Sequence, residues 1–321
     1  MIVTLTPNPS IDATIALDSP LHPGTVHRAH SITQVAGGKG INVANAITLA
    51  GQQTTAVFPS TDGDPFVALV NDLNVNFTSV AIEGAIRTNT TVTEDSGRTT
   101  KLNGKGPLVD KETQQALIDS TIEAAQDASW VVMAGSLPHG VANDFYVTAI
   151  KALREAAPHV RIAVDTSDAP MVAIAENLSQ AAPDLLKPNG LELGQFIGED
   201  GLSIEKAAEE GDYSAVIAAA RKVNAQGVDS VLVTLGSAGA ILVTESGAWK
   251  ATPPPTDVVS TVGAGDSSLA GFLLAQADGK DLPLSLQQSV AYGSAATSLP
   301  GTTIPTPDML NLEQTDVSEL N

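Results

Sequence analysis

The sequence contains no cysteine and has few basic residues for its length. Without cysteine no disulfide framework can form, which is compatible with a reducing cytoplasm. The 16 Lys and Arg residues stand against 36 Asp and Glu residues, so the formal net charge is −20. Such a charge opposes nonspecific binding to nucleic acids and to anionic membrane surfaces. We therefore expect no nucleic-acid partner and no membrane partner.

Long apolar runs are also missing. No run approaches the roughly 20 residues that a membrane helix needs, and residues 1–5 form a short apolar strand without a basic leader. Apolar residues nevertheless make up 43% of the 321 residues, which is enough core for one large α/β domain with an appendage. We expect a cytoplasmic protein.

The most informative run is Thr261 to Ser267, TVGAGDS, which combines a glycine-rich turn with an acidic residue. Apolar residues recur at helical spacing after it, so a helix is predicted to begin near Asp266. Gly263 and Gly265 can take backbone angles closed to other residues, and with Ala264 they can direct consecutive amides at an anion. Asp266 is then placed to act as a general base for attack on a γ-phosphate. A plain glycine turn with an aspartate N-cap is the alternative.

A second glycine-rich run, GGKGINVA at residues 37–44, precedes another segment with helical apolar spacing. Small residues and one cation, Lys39, come before that segment, so the run indicates a second loop-to-helix site for an anion or a hydroxyl. It is not a Walker motif, which has Ser or Thr directly after the lysine, and it is not a Rossmann fingerprint. Close helix packing with a solvated Lys39 is the alternative.

Together the two runs resemble the two signatures of the ribokinase-like (PfkB) carbohydrate kinase family. The signatures correspond to residues 37–44 and 260–273, at the expected ends of a chain of this length, and the similarity extends to about Pro305. The opening TPNPSID at 6–12, followed by PGTVHRA at 23–29, resembles the phosphosugar branch, and most closely its 1-phosphofructokinases.

The resemblance implies a ribokinase-like three-layer α/β/α sandwich with a mainly parallel central sheet and a small β-sheet lid. The residues themselves agree, because strand-like apolar runs alternate with helix-like segments, as in a parallel sheet covered on both faces. The predicted strands are Ile2 to Leu5, Thr54 to Phe58, Trp130 to Met133, Arg161 to Val164 and Ser230 to Thr234, and the predicted helices are 110–126, 142–155 and 213–226.

Two Thr-rich segments, 13–34 and 86–104, interrupt this alternation and are predicted as antiparallel strands. In the resembled family they form a β lid over the sugar site, which often also makes a dimer interface, so we expect a homodimer through the lid. The main domain then comprises 1–12, 35–85 and 105–310. Residues 311–321 form an acidic and polar C-terminal tail, expected to be disordered or to lie on the surface.

The resemblance also implies a sugar site between the sheet and the lid. Asp12 can accept hydrogen bonds from sugar hydroxyls, and Asn42 can both donate and accept them. Both match sugar-contact positions of the family, and Gly38 and Lys39 belong to the same expected site. An ordinary turn aspartate is the alternative for Asp12.

A phosphate on the sugar needs fixed cations. Arg87 and Lys101 match positions where phosphosugar kinases of the family hold the phosphate that is not transferred, with Asn103 beside them, and an antiparallel pairing would bring the two cations together. Arginine offers a planar fork, whereas lysine is a point charge. Ser136, after a predicted strand, could donate its hydroxyl and amide to the same phosphate. Solvated lid charges and an ordinary strand-end turn are the alternatives.

The nucleotide is expected in the carboxyl half. The run KPNGLE places Asn189 and Glu192 three residues apart, as neighbours at a helix start, and resembles the family's Asn-x-x-Glu element, whose Glu organises Mg²⁺, often through water. A capping box is the alternative. The remaining residues assigned to ATP are Lys187, Thr234, Gly236, Gly239 and Thr261, with the small-residue segment 291–297 as a wall of the adenine pocket.

The expected function is that of an ATP-dependent phosphosugar kinase with Mg²⁺ as cofactor. It transfers the γ-phosphoryl of ATP in line to the 6-hydroxyl of fructose 1-phosphate, giving fructose 1,6-bisphosphate and ADP. A tagatose-6-phosphate or fructose-6-phosphate kinase shares these motifs and stays open. A noncatalytic sugar-binding regulator would be expected to have lost Asp266 or its flanking glycines. An NAD-dependent dehydrogenase would carry GxGxxG after the first strand, where residues 6–9 are TPNP.

Overall fold

The computed structural model describes residues 1–320, in which 14 strands form two sheets. The strands are β1 (Ile2–Leu5), β2 (Ser10–Leu17), β3 (Ser31–Gly37), β4 (Thr54–Ser60), β5 (Phe77–Ala81), β6 (Arg87–Glu94), β7 (Thr99–Asn103), β8 (Trp130–Ala134), β9 (Arg161–Asp165), β10 (Leu185–Leu186), β11 (Ser230–Thr234), β12 (Ala240–Thr244), β13 (Gly247–Thr252) and β14 (Asp316–Leu320). The helices are α1 (Lys39–Leu49), α2 (Pro65–Asp72), α3 (Lys111–Ala125), α4 (Phe145–Ala156), α5 (Asp168–Glu176), α6 (Leu178–Ala181), α7 (Gly190–Ile197), α8 (Gly201–Glu209), α9 (Ser214–Asn224), α10 (Ala264–Ala277) and α11 (Leu282–Thr297), with short 3₁₀ turns at Gly236–Ala238 and Pro307–Met309.

The main sheet has ten strands in the order β14-β13-β12-β11-β10-β9-β8-β1-β4-β5. The seven strands from β11 to β5 run parallel, and β12, β13 and β14 extend the sheet in antiparallel fashion. The prediction of a mainly parallel sheet is confirmed. The five predicted strands and three predicted helices are confirmed as β1, β4, β8, β9, β11, α3, α4 and α9.

Both faces of the main sheet are covered, because successive residues of its strands point into two separate apolar cores. Val3 and Val131 pack in one core with α3, α4 and α9, while Ile2 and Trp130 pack in the other with α10 and α11. This alternation of two buried faces produces three layers, helix, sheet and helix. Within residues 1–320, no helix has the length and apolar character needed to cross a membrane.

The second sheet is the β lid, with the order β3-β2-β6-β7. Its outer pairs are antiparallel, as predicted, but the central pair of β2 and β6 is parallel. The reason is topological: the chain enters the lid twice, each time on an outgoing strand that returns as a hairpin, and the two outgoing strands pair with each other. The lid strands also extend from Ser10 to Gly37, beyond the predicted segment 13–34.

The C-terminal segment lies on the surface, as one of the two expectations had it, but as an ordered strand and not as a disordered tail. Residues 316–320 form β14, which pairs with β13 at the edge of the main sheet. Val317 and Leu320 pack against the two different apolar cores. An unpaired edge strand leaves a row of backbone donors and acceptors, and β14 satisfies those of β13.

Candidate active site

The site residues lie at the carboxyl ends of the parallel strands of the main sheet. β9 ends at Asp165, Lys187 directly follows β10, and β11 ends at Thr234. The chain also enters the β lid from the carboxyl ends of these strands, because β1 leads through residues 6–9 into β2. Open α/β sheets bind ligands outside the carboxyl ends of their strands.

The two glycine-rich runs meet at Asp266. Helix α10 begins at Ala264, two residues before the predicted start, and Gly263 precedes it with φ 80°, a left-handed conformation that favours glycine. Asp266 lies in the first turn of α10 and is buried. Its Oδ2 accepts a hydrogen bond of 2.8 Å from Nδ2 of Asn42 on α1. Gly38 precedes α1 in a similar way, with φ 115°.

The surroundings of Asp266 suit a proton acceptor. Burial raises the pKa of its carboxyl group to about 6, and the nearby carboxylate of Asp165 adds to the effect. Lys39, Lys187 and the hydrogen bond from Asn42 act in the opposite direction. A base with a pKa near neutrality accepts a proton more readily than an ordinary aspartate, yet it is ionised at pH 7.

Asp165 is a site residue that the sequence analysis missed. Its side chain is wholly buried and pairs with two lysines: Nζ of Lys39 lies 2.6 Å from Oδ1, and Nζ of Lys187 lies 3.0 Å from Oδ2. Although burial acts to raise it, the pKa of Asp165 is held below its ordinary value by the two ammonium groups. The available signal was a lone acid at the carboxyl end of an apolar predicted strand, RIAVD.

Lys187 reaches the glycine-rich turn. A side chain added at Gly265 would begin 3.3 Å from Nζ of Lys187. The ammonium group therefore lies beside the backbone amides of Ala264 and Gly265 at the amino end of α10. Amides at a helix N-terminus together with a fixed cation form a site for a phosphate oxygen.

On the lid, the strand register aligns polar residues into rows. Asp12 on β2 is opposite Asn89 on β6, which is opposite Asn103 on β7. Oδ1 of Asp12 accepts hydrogen bonds from Ser10 Oγ at 2.7 Å and from Asn89 Nδ2 at 3.2 Å. Its Oδ2 takes part in neither of these hydrogen bonds. Asn89 was also missed in the sequence; it lies two residues after Arg87 on β6 and therefore on the same face of the strand, and this spacing was its signal.

Gly37 makes room for Asp12, which leads to a prediction. A Cβ atom at residue 37 would overlap Oδ2 of Asp12. We expect Gly37→Ala to displace this carboxylate and to raise the KM for the sugar at least tenfold, because Asp12 then loses its place in the row. Steady-state kinetics with the sugar varied tests this. Ser96→Ala, in the exposed turn between β6 and β7, is the control, and equal KM values for the two variants would contradict the assignment.

Arg87 is held by backbone carbonyls at the base of the lid. It donates from Nε to Pro9 O at 3.3 Å, from Nη2 to Asn8 O at 3.1 Å and from Nη1 to Gly104 O at 3.4 Å. Asn8, a further missed residue, in turn donates from Nδ2 to Ser136 Oγ at 3.1 Å. Arginine has five N–H donors, so these three contacts leave two of them for another acceptor.

Lys101 does not lie beside Arg87 as the predicted pairing implied. The register places Lys101 opposite Thr91, four residues along β6 from Arg87, or about 13 Å at about 3.3 Å per residue. The two cations therefore lie on opposite sides of the row formed by Asp12, Asn89 and Asn103. Burial raises the pKa of the Asp12 carboxyl above its ordinary value, while Ser10 and Asn89 as hydrogen-bond donors, then Arg87 and Lys101 as cations, lower it.

On the nucleotide side, Asn189 and Glu192 form the capping box that was the alternative interpretation. Oδ1 of Asn189 accepts from the Glu192 amide at 2.7 Å, and Oε2 of Glu192 accepts from the Asn189 amide at 2.8 Å. The box uses one carboxylate oxygen of Glu192 and leaves Oε1. Glu192 also lies close enough to Lys39 to help raise the pKa of that lysine, which burial alone would lower.

The other residues predicted for ATP lie in two turns. The Thr234 amide donates to Pro188 O at 3.0 Å, and the chain then turns at Gly236 (φ 55°) and Gly239 (φ 92°) into the antiparallel β12. A Cβ atom at Gly239 would overlap Ala251 O, so the turn needs glycine there. This loop is thus the turn of a β11–β12 hairpin, which does not exclude phosphate contacts. Thr261 is exposed, and its carbonyl accepts from the Ala264 amide at 3.4 Å.

A buried carboxylate at a helix N-terminus, beside lysines and below a polar lid, defines a class of enzyme that transfers a phosphoryl group to an alcohol. The chain belongs to the pfkB family of carbohydrate kinases, whose family model matches residues 6–309. It is 35% identical over 279 residues to the 1-phosphofructokinase of Xanthomonas campestris pv. campestris, covering 86% of this chain and 84% of that protein.

Two further relatives extend the similarity over almost the whole chain. The 1-phosphofructokinase of Haloferax volcanii is 34% identical over 311 residues, covering 95% of this chain and 93% of that protein. The crystal structure of Escherichia coli phosphofructokinase-2 in complex with substrates and products superimposes with a TM-score of 0.84 at 30% identity, covering 96% of each chain.

Proposed function

We propose that this kinase phosphorylates fructose 1-phosphate at its 6-hydroxyl, giving fructose 1,6-bisphosphate and ADP. The observation that carries the proposal is the contact between Asp266 and Asn42. It joins the glycine-rich run 261–267, here the catalytic turn, to the helix that begins within the glycine-rich run 37–44, here the sugar loop. The names of the relatives from Xanthomonas campestris and Haloferax volcanii support the choice of substrate.

In the proposed mechanism, Asp266 takes the proton of the 6-hydroxyl as its oxygen attacks the γ-phosphorus. The bond from that phosphorus to the bridging oxygen of ADP breaks in line. The amides of Ala264 and Gly265, with the ammonium group of Lys187, stabilise the charge on the transferred group. Asp12 orients the sugar hydroxyls, and no covalent intermediate with the protein is needed.

Arg87 and Ser136 are proposed to bind the phosphate that stays on the sugar, whereas Lys101, about 13 Å along the lid from Arg87, is proposed to contact the sugar from the other side of the row. The two free N–H donors of Arg87 fit two phosphate oxygens, and the Ser136 hydroxyl can supply a third hydrogen bond. These contacts hold the far end of the sugar, so the 6-hydroxyl is fixed near Asp266. Closure of the lid would exclude water and so limit ATP hydrolysis.

Glu192 fits a role in holding Mg²⁺. It has one free carboxylate oxygen, a donor that Mg²⁺ prefers, and residues 1–320 contain no cluster of three or more acids or histidines that could hold a metal alone. Such an ion would therefore be bound mainly by the phosphates of ATP and by water. When bound, Mg²⁺ neutralises charge on the β- and γ-phosphate oxygens.

We place the adenine base in a cavity of about 380 Å³ beside the catalytic turn. The loop from Pro254 to Val259 forms one wall, and Ala291, Ser294 and Ala295 on α11 form the other. Its volume lies within the usual range of small-molecule sites. The small-residue segment that was predicted as a wall of the adenine pocket lines this cavity.

The experiment that tests the function compares kcat/KM for fructose 1-phosphate, fructose 6-phosphate, tagatose 6-phosphate and fructose, measured as Mg-ATP-dependent ADP formation. We expect a strong preference for fructose 1-phosphate. Preference for a 6-phosphate would keep the kinase but refute the substrate, and activity only with unphosphorylated fructose would refute the phosphate role of Arg87 and Ser136. ADP formation with none of them would favour the noncatalytic regulator.

We further propose a homodimer through the β lid. Ile32 on β3 and Leu102 on β7 lie on the lid face opposite Asp12 and are 64% and 61% exposed. Exposed apolar side chains on one sheet face are typical of an interface. Sedimentation velocity should show that the wild type is a dimer and that the double variant Ile32→Asp/Leu102→Asp is a monomer; a monomeric wild type would refute the proposal.

A cytoplasmic location, which the lack of cysteine permits, stays a prediction.

A further inference from the structure

The buried carboxylate of Asp165 forms ion pairs with two lysines that come from different halves of the site. Lys39 belongs to the sugar loop at the start of α1, and Lys187 belongs to the nucleotide side after β10. Each ammonium group contacts a different oxygen of the same carboxylate. Among the ion pairs of residues 1–320, this is the only carboxylate that is shared by two cations.

Both lysines need the negative charge of Asp165 to stay where they are. Lys187 is only 4% exposed, and a buried ammonium group without a partner is strongly unfavourable. Two ammonium groups on one carboxylate also repel each other, so the arrangement is held by the carboxylate between them. Asp266 is a further acid close enough for its charge to act on both lysines.

We propose that Asp165 is a positioning residue that holds Lys39 and Lys187 on either side of the point of phosphoryl transfer and keeps both away from Asp266. The proposal rests on the proposed function for its catalytic consequence. Asp165 itself touches no reacting atom. It fixes the cation beside the catalytic turn through Oδ2 and the cation of the sugar loop through Oδ1.

A test of this role is Asp165→Asn, which keeps the shape of the side chain and removes its charge. We expect kcat to fall about 10²-fold, as when one donor to a transition-state charge is lost. Asp266 would lose a like charge and face two unpaired ammonium groups, so the acid limb of the kcat/KM profile should move to lower pH. The charged groups whose fields act on Asp266 are Asp165 on β9, Lys39 on α1 and Lys187 after β10. Glu192 on α7 acts on Lys39 and so only indirectly on Asp266.

Asp184→Asn is a matched control. Asp184 is likewise an acid that pairs with a cation next to β9. It accepts hydrogen bonds from Arg154 at 2.9 Å and from the Ile162 amide at 2.5 Å, but it lies at the amino ends of the parallel strands, away from the site. We expect this variant to lower the Tm without moving the pH profile. Asp165→Glu, which keeps a negative charge, should restore part of the activity and the wild-type acid limb.

A readout that needs no turnover separates this proposal from the proposed function. In the free protein, the carboxyl carbon of Asp266, assigned by ¹³C NMR with Asp266→Asn as reference, should titrate at lower pH in Asp165→Asn than in wild type. An unchanged titration in a folded Asp165→Asn variant would overturn the proposal, even with lower activity, because the loss would then be structural. If wild type phosphorylates no sugar, the proposed function fails and the NMR comparison still decides the role of Asp165.

Discussion

The Asp266→Asn variant is expected to lose about 10²- to 10⁴-fold in kcat while it still binds the sugar phosphate, the loss typical of a missing general base. The amide has the size of the carboxylate and its oxygen can still accept the hydrogen bond from Asn42. The fold of the turn should therefore survive the substitution, whereas the proton of the 6-hydroxyl has no acceptor. Single-turnover kinetics, with sugar-phosphate affinity measured by calorimetry, separates these two effects.

The pH dependence of wild type belongs to the same prediction. Because burial raises the pKa of Asp266 to about 6, the carboxylate is protonated below that pH and cannot accept a proton. The value of kcat/KM should therefore fall as pH drops through about 6, approaching tenfold per unit. Asp278→Asn, at the other end of α10 where Asp278 accepts from Gln52, is the control and should behave as wild type. Near-normal turnover of Asp266→Asn would exclude Asp266 as the base.

Arg87→Ala is expected to raise the KM for the phosphosugar about 10²-fold and to leave turnover of unphosphorylated fructose unchanged. Two hydrogen bonds from a charged donor to phosphate contribute about 3 kcal/mol, which corresponds to about 10²-fold in affinity. The loss should appear mainly in KM, because the phosphate that Arg87 holds takes no part in the bond changes. The measurement is the ratio of kcat/KM for the two sugars in wild type and variant.

The structure also provides the control for Arg87. Arg98 lies in the turn of the same hairpin and pairs with Glu94 at 2.7 Å, far from the predicted phosphate. Arg98→Ala should change neither sugar. A loss of equal size for fructose in Arg87→Ala would show that this arginine acts only by ordering Asn8 and Pro9, whose carbonyls accept its hydrogen bonds.

The features that could be predicted from the sequence are those determined by a short, continuous stretch of residues. The two glycine-rich runs contain their own turn residues and helix starts, so the positions of Asp266 and Asn42 at helix N-termini followed from local spacing. The five long apolar strands were predictable for the same reason. The capping box at Asn189 was also visible as a local pattern.

The rest depends on distances between segments that a single sequence does not contain. Asp165 is separated from Lys39 by 126 positions, so nothing local shows that the two residues form a pair. The offset between Arg87 and Lys101 is a matter of register, which the pairing of β6 and β7 fixes only in three dimensions. β14 has too few apolar residues to stand out, and its place depends on the free edge of β13.

The hydrogen bond between Asn42 and Asp266 also has a thermodynamic consequence. It joins a helix that follows the sugar loop to the helix that follows the catalytic turn, so any ligand that alters one end of this bond acts on both binding sites. Linkage requires that the factor by which the sugar phosphate changes nucleotide affinity equals the factor by which the nucleotide changes sugar affinity. Asn42 is therefore the position at which a single substitution would show whether the two substrates bind independently or cooperatively.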